Sequence, residues 1–181
     1  MIASAHASAA VLRGLFDRLP RKGLIVGLFA MVLFGASSAW AQVDVTATAG
    51  TANASYTTLK GAFDAINAGT HQGTITIGIS GDTTETAPAV LNASGAGAAV
   101  YTTIGISPTG GAARTISGAI VAGSPLIDLN GADNVTIDGL NTGGNSLTIA
   151  NTTVSATSGT STIRFIGGAT FNLITNSNIQ G

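Results

Sequence analysis

The sequence predicts an all-β solenoid, a coil wound from short strands. Three observations lead there. First, short runs of the I-x-I type recur along the chain, as in TITIGIS (Thr74 to Ser80) and VTIDGL (Val135 to Leu140). Alternation of period two with β-branched residues marks a strand with one buried face. Second, each run is bounded by Gly, Asn, Ser or Pro, so corners follow strands at short intervals. Third, the pattern returns on itself. Gly131-Ala132-Asp133 aligns with Gly168-Ala169-Thr170, and Ile137-Asp138 with Ile174-Thr175, both at an offset of 37. Repetition of units that cannot bury their own apolar face is the mark of a solenoid.

The first 41 residues differ in character from the remaining 140. Arg13, Arg18, Arg21 and Lys22 precede an apolar run, Gly23 to Ala36, and Ala39-Trp40-Ala41 supplies an A-x-A site. This is the layout of a secretory signal peptide cleaved after Ala41. The run of 14 residues is shorter than the roughly 20 a spanning helix needs. The competing reading is an uncleaved anchor using Gly23 to Ala41. The expected product is secreted or displayed at the cell surface, and it meets a membrane only through the signal segment before cleavage.

After cleavage three basic residues, Lys60, Arg114 and Arg164, stand against seven acidic ones, a net charge of −4. With no basic patch to neutralise phosphates, nucleic acid is not an expected partner. The chain has no cysteine, which removes disulfides, thiolate metal sites and a Cys nucleophile.

The elements follow in order. Residues 42–55 read as a lead-in, either a first edge strand or a loose linker with one alternating piece, Val43-Asp44-Val45. Residues 56–69 read as a helix. Leu59, Ala62, Phe63 and Ile66 form one apolar stripe, Thr57 or Thr58 can cap it, and Gly69 can take the left-handed position after it. Lys60 and Asp64 are spaced as a solvated surface pair. A single-faced helix standing just before the first strong strand is suited to close the end of a coil. Residues 70–181 carry the coils. Ala99 to Ser107 is assigned two alternating faces, with Tyr101, Thr103 and Gly105 opposite Ile104 and Ile106. Ile127, Ile137, Ile149, Ile163 and Ile174 mark successive strands at spacings of 10, 12, 14 and 11. The expected inward stack is Ile127, Leu129, Val135, Ile137, Ile149, Ile163, Phe165 and Ile174. Asn134, Asn151 and Asn176 are placed at corners, either as rungs of a ladder or as turn residues. A sandwich is the rival architecture, but hairpin signals of the Asn-Gly type between long strands are scarce. No second closing element precedes Gly181, so the chain reads as part of a longer one.

The helix T-L-x-x-A-x-x-A-I-N-x-G (Thr58 to Gly69), the I-x-I strands, GADNVTIDGL (Gly131 to Leu140) and Thr160 to Gly181 together resemble the N-terminal portion of bacterial surface and secreted proteins. Those proteins carry a right-handed parallel β-helix of pectin-lyase-like type. The resemblance spans about residues 56–181, and GADNVTIDGL is its most specific part. It implies right-handed parallel coils and an N-terminal capping helix. It also raises polysaccharide chemistry, since lyases and hydrolases use this fold.

Such enzymes need clustered carboxylates on an outer face with Arg or Lys beside them. Asp128 and Asp138 point outward if their neighbours point in, and Asp133 stands at the corner between them. That trio is the candidate catalytic cluster, with a structural Ca²⁺ role as the alternative. The paired-acid, His and R-x-K motifs of galacturonase-like families are missing, as are the EF-hand and G-G-x-G-x-D patterns. No G-x-S-x-G elbow is present. His71, the lone histidine after the signal, reads as a solvated corner residue. No cofactor or metal is expected. The favoured reading is a non-enzymatic, adhesin-like structural segment whose partner is a surface glycan or a protein of a host or neighbouring cell. The alternative is the N-terminal part of a polysaccharide lyase or hydrolase.

Overall fold

The computed structural model describes residues 40–181; the signal peptide expected over residues 1–41 lies almost wholly outside them. The chain opens with β1 (Val43–Gly50) and β2 (Asn53–Tyr56), followed by α1 (Leu59–Asn67). The first coil is β3 (His71–Ile79), β4 (Thr83–Thr84) and β5 (Ala89–Asn92). The second is β6 (Tyr101–Pro108), β7 (Ala113–Gly118) and β8 (Pro125–Asn130). The third is β9 (Val135–Asp138), β10 (Ser146–Asn151) and β11 (Ser161–Ile166), with β12 (Leu173–Thr175) and β13 (Ser177–Gln180) beginning another.

From β3 onward each strand pairs in parallel with the third strand after it. Three sheets result, in the orders β12-β9-β6-β3-β1-β2, β13-β10-β7-β4 and β11-β8-β5. The protein is therefore a β-solenoid of about three turns with one short helix. Parallel neighbours need a crossover of a dozen residues or more, and here the other two faces of the coil supply it. This pairing rules out the sandwich.

The register stacks like on like. Ile77, Ile106, Ile137 and Ile174 form one column, and Ile116, Ile149 and Ile179 a second. Ala89, Ile127 and Ile163 form a third, and Leu91, Leu129 and Phe165 a fourth. Each fully buried Val, Leu, Ile or Phe contributes roughly 1.5–3 kcal/mol relative to exposure, so the columns hold coils that could not stand alone. The 37-residue offset read from the sequence is one coil, because Ile137 pairs with Ile174. Coil length is not constant: Ile75 pairs with Ile104, only 29 residues on. The difference is taken up at the corners.

Of the two readings of the lead-in, the strand holds: β1 pairs antiparallel with both β2 and β3, so two antiparallel strands continue the first sheet. Three expectations need correction. The helix is shorter than 56–69, because Tyr56 belongs to β2; Thr58 caps it, accepting from the Gly61 amide, and Gly69 sits at φ 74 after Ala68. Tyr101 and Ile104 are buried together rather than on opposite faces. The register jumps there, with Gly73 opposite Tyr101 but Thr74 opposite Thr103, so Thr102 is an extra bulge residue that resets the alternation. Phe165 is in register with Leu129 yet 46% exposed, because no strand among the described residues lies beyond β11.

α1 buries Leu59, Ala62, Phe63 and Ile66 against the core. Both of its ends are tied to other elements through side chains. Both carboxylate oxygens of Glu85 accept from the helix N-terminus, Leu59 N at 2.8 Å and Lys60 N at 3.0 Å. At the other end the Asn67 amide donates to Val90 O and accepts from Asn92 N, taking the place of a strand neighbour along β5. Lys60 and Asp64 form the exposed surface pair the spacing predicted.

Candidate functional site

The three candidate aspartates occupy three different places on the coil. Asp128 lies on β8, Asp133 on the corner after it, and Asp138 at the end of β9 in another sheet. The structure does not draw them together; among the described residues no group of three or more His, Asp or Glu side chains is placed to hold a metal ion.

Each is instead bound to the next coil. Asp128, only 5% exposed, takes a two-pronged contact from Arg164, Nη2 at 2.6 Å to one oxygen and Nε at 3.2 Å to the other. A planar guanidinium fits a carboxylate in this fork geometry, and the hydrogen bond to Asp128 raises the Arg164 pKa above its ordinary value. Asp133 Oδ1 accepts from both the amide and the hydroxyl of Thr170. Asp138 Oδ1 accepts from Asn176 Nδ2 at 2.9 Å and from the Leu140 amide at 2.8 Å. The Asn176 bond first, and the Leu140 amide second, hold the Asp138 carboxyl below its usual value of 3.8. The partners lie 36, 37 and 38 residues ahead, one coil in each case.

The same logic accounts for polar side chains the sequence left without a role. Corners carry main-chain groups that no strand neighbour satisfies, and buried ones must find partners. Asp82 accepts from Thr115 N, Asn145 from Gly111 N and Thr160 from Gly123 N, all one coil apart. Thr153 Oγ1 bridges both the amide and the carbonyl of Ile120, and Asn172 bridges Ala132 O and Val135 N. Among the described residues one asparagine pair spans two coils, Asn130 Nδ2 donating to Asn92 Oδ1 at 3.1 Å. Asn134 and Asn176 serve as corner residues at φ 59 and 51, with Asn176 also reaching Asp138. Asn151 is buried and bonds within its own coil. The Asp128–Arg164 pair and the Glu85 cradle have no local signal; the 36-residue register, once known, pairs Asp128 with Arg164, whereas Glu85 reaches back 25 and 26 residues to the helix.

His71 is not a solvated corner. It is fully buried in β3. The Thr51 carbonyl can only accept, so Nδ1–H donates to it at 2.6 Å, and in the neutral ring Nε2 accepts from the Tyr56 hydroxyl at 2.7 Å. The two rings meet edge to face. His71 thus fastens the β1–β2 hairpin by its turn and by its last residue. Burial raises the Tyr56 phenol above its ordinary value. Tyr101 is likewise structural. Burial, with the Asp133 charge adding to it, pushes its phenol up to about 12, and its hydroxyl donates to Asn92 O.

The outer face of the first sheet holds a shallow trough of about 420 Å³, floored by Thr74, Thr76, Thr103 and Thr136 and edged by Asn134 and Phe171. Phe171 is 85% exposed with φ 53. Among the described residues no helix is long and apolar enough to cross a membrane. The chain matches no family model, no curated protein and no solved structure.

Proposed function

We propose that this chain is an exported, non-enzymatic structural segment of a bacterial cell-surface or secreted protein. In this reading residues 1–41 are a cleaved signal. The coils are right-handed and pectin-lyase-like, and α1 with the β1–β2 hairpin caps the first of them. The segment acts in an adhesin-like manner, displaying its faces to a surface glycan or to a protein of a host or neighbouring cell.

One observation carries the structural part of the proposal. The carboxylates that acid-base chemistry would require are already spent as ties, Asp128 on Arg164, Asp133 on Thr170, Asp138 on Asn176, Asp82 on Thr115 and Glu85 on α1. A general acid or base must be free to reach a substrate proton. The ties account for the acidic and Thr/Asn-rich composition without any chemistry.

The test replaces Asp128, Asp133 and Asp138 singly by Asn and follows both thermal stability and depolymerisation of a panel of polysaccharides. A structural segment loses stability and has no activity to lose. Depolymerising activity in the parent that disappears in a folded Asp→Asn variant would overturn the proposal in favour of a polysaccharide lyase or hydrolase. N-terminal sequencing of the exported product tests the address: Gln42 is the expected first residue.

A further inference from the structure

Four Asn-x-Ser/Thr triplets occur after the signal segment, at Asn53, Asn92, Asn134 and Asn151. The triplet is the acceptor pattern for N-linked sugar, which needs an accessible asparagine amide and hydroxyl. The structure separates the four sharply. Asn92 accepts from Asn130, and its triplet hydroxyl, Ser94 Oγ, is taken by the Tyr101 amide. Asn151 is buried, with its nitrogen on Ser161 O and its oxygen on Thr153 N. At Asn53 the triplet hydroxyl, Ser55 Oγ, is bonded to Asp44. Asn134 alone stands free. It is exposed at a corner, and both its side chain and that of Thr136 open onto the trough, engaged in no side-chain bond among the described residues.

A second observation points to the same place. Phe171 occupies the corner one coil beyond Asn134. The backbones are tied there, Asn134 N donating to Thr170 O, and both residues are left-handed, at φ 59 and 53. Asn tolerates that region; a bulky aromatic does so only under strain. Phe171 is strained and at the same time almost fully exposed. Strain that packing does not explain is a pointer to a contact made outside the chain. The ring edges the same trough that Asn134 opens onto.

We propose that Asn134 is an N-glycosylation site and that the first sugar rests in the threonine-floored trough against the Phe171 ring. In the transfer, Asn134 Nδ2 bonds to C1 of an activated hexose. The C1–O bond to the nucleoside diphosphate breaks, the diphosphate leaves with the electron pair, and the amide gives one proton to the transferase base. The biological setting rests on the exported, surface-displayed reading, but the acceptor geometry does not.

The experiment incubates the folded full-length chain with a soluble N-glycosyltransferase and UDP-glucose and maps the product by peptide mass spectrometry. One hexose on the Asn134 peptide is expected, lost in Asn134→Gln and retained in Asn53→Gln. The modified chain should melt about 2–4 °C higher, and Phe171→Ala should accept the sugar yet show no such rise. Absence of hexose at Asn134, or equal occupancy at the other three triplets, overturns the site. An undiminished rise in Phe171→Ala overturns the stacking. Because the enzyme is supplied in vitro, failure here leaves the export reading standing, and failure of export in cells leaves this site standing.

Discussion

Gly139 gives the sharpest test of how closely the coils are stacked. A methyl group built on it would lie 2.0 Å from the carbonyl oxygen of Asn176, 2.7 Å from its carbon and 3.1 Å from Ser177 Cα. All three are backbone atoms, so no side chain can swing aside. Gly139→Ala must therefore push the corner between β12 and β13 away by about 1 Å, about a fifth of the roughly 4.8 Å between neighbouring strands. That displacement breaks the Gly139 N to Thr175 O bond, now 3.0 Å, and strains the Asp138–Asn176 bond beside it. Overpacking costs about 1–3 kcal/mol, and a lost hydrogen bond adds about 1 kcal/mol. The sum, about 2–4 kcal/mol, falls on the last strands, which can detach locally instead of unfolding the chain. Amide hydrogen exchange is the assay. Protection over Leu173 to Gln180 should collapse while that of β3 to β8 holds. Gly105→Ala is the control, since its methyl group meets nothing within 4 Å, and it should be neutral or slightly stabilising. Unchanged protection of β12 and β13 in Gly139→Ala would refute the packing argument.

Three further outcomes are expected. Glu85→Ala removes both acceptors from the α1 N-terminus and leaves buried amides unpaired, so chemical denaturation should show a loss of about 2–4 kcal/mol; a loss below about 0.5 kcal/mol would show that water replaces the carboxylate. Thr83 faces inward with its hydroxyl buried and unpartnered, beneath Ile116; Thr83→Val should raise stability by about 1 kcal/mol, and a destabilised variant would reveal a partner for that hydroxyl. The Asp138 carboxyl is held below 3.8 in the folded chain, so its tie is complete above the unfolded value. It is lost as pH falls through the lower folded one, that is, below about pH 4. The Leu140 amide resonance should follow that titration and cease to do so in Asp138→Asn, and a midpoint at or above 3.8 would sink the assignment.

What the sequence revealed and what it hid divide along a physical line. Alternation is local, so the strands, the stripe of α1 and the columns of Ile137 and Ile174 were legible. The 37-residue offset is a repeat of local pattern and proved to be one coil. Side-chain ties between coils are a different matter. Nothing near Asp128 announces Arg164, and nothing near Glu85 announces Leu59, because the distance along the chain is set by corners of variable length. The bulge at Thr102 was hidden because it breaks the alternation used to read the strand. His71 misled for a related reason. Its flanking Thr70 and Gly73 read as a corner, while its burial depends on Thr51, in a lead-in read as an edge strand or a linker, and on Tyr56, read as the start of the helix.

The unequal coils carry a consequence for how such a chain can change. Ile75 to Ile104 is 29 residues and Ile137 to Ile174 is 37, yet both pairs sit in perfect register. Each face resets the pairing, so a residue gained or lost at a corner is forgotten by the time the next sheet is reached. The long corner between β10 and β11 and the short one between β4 and β5, which join the same two faces, are then interchangeable in principle. A loop grafted at Val154, which is fully exposed, should leave the columns above and below it untouched. The solenoid is in this sense a modular spine, in which the faces keep the geometry and the corner residues that tie no neighbouring coil are free to acquire new sequence.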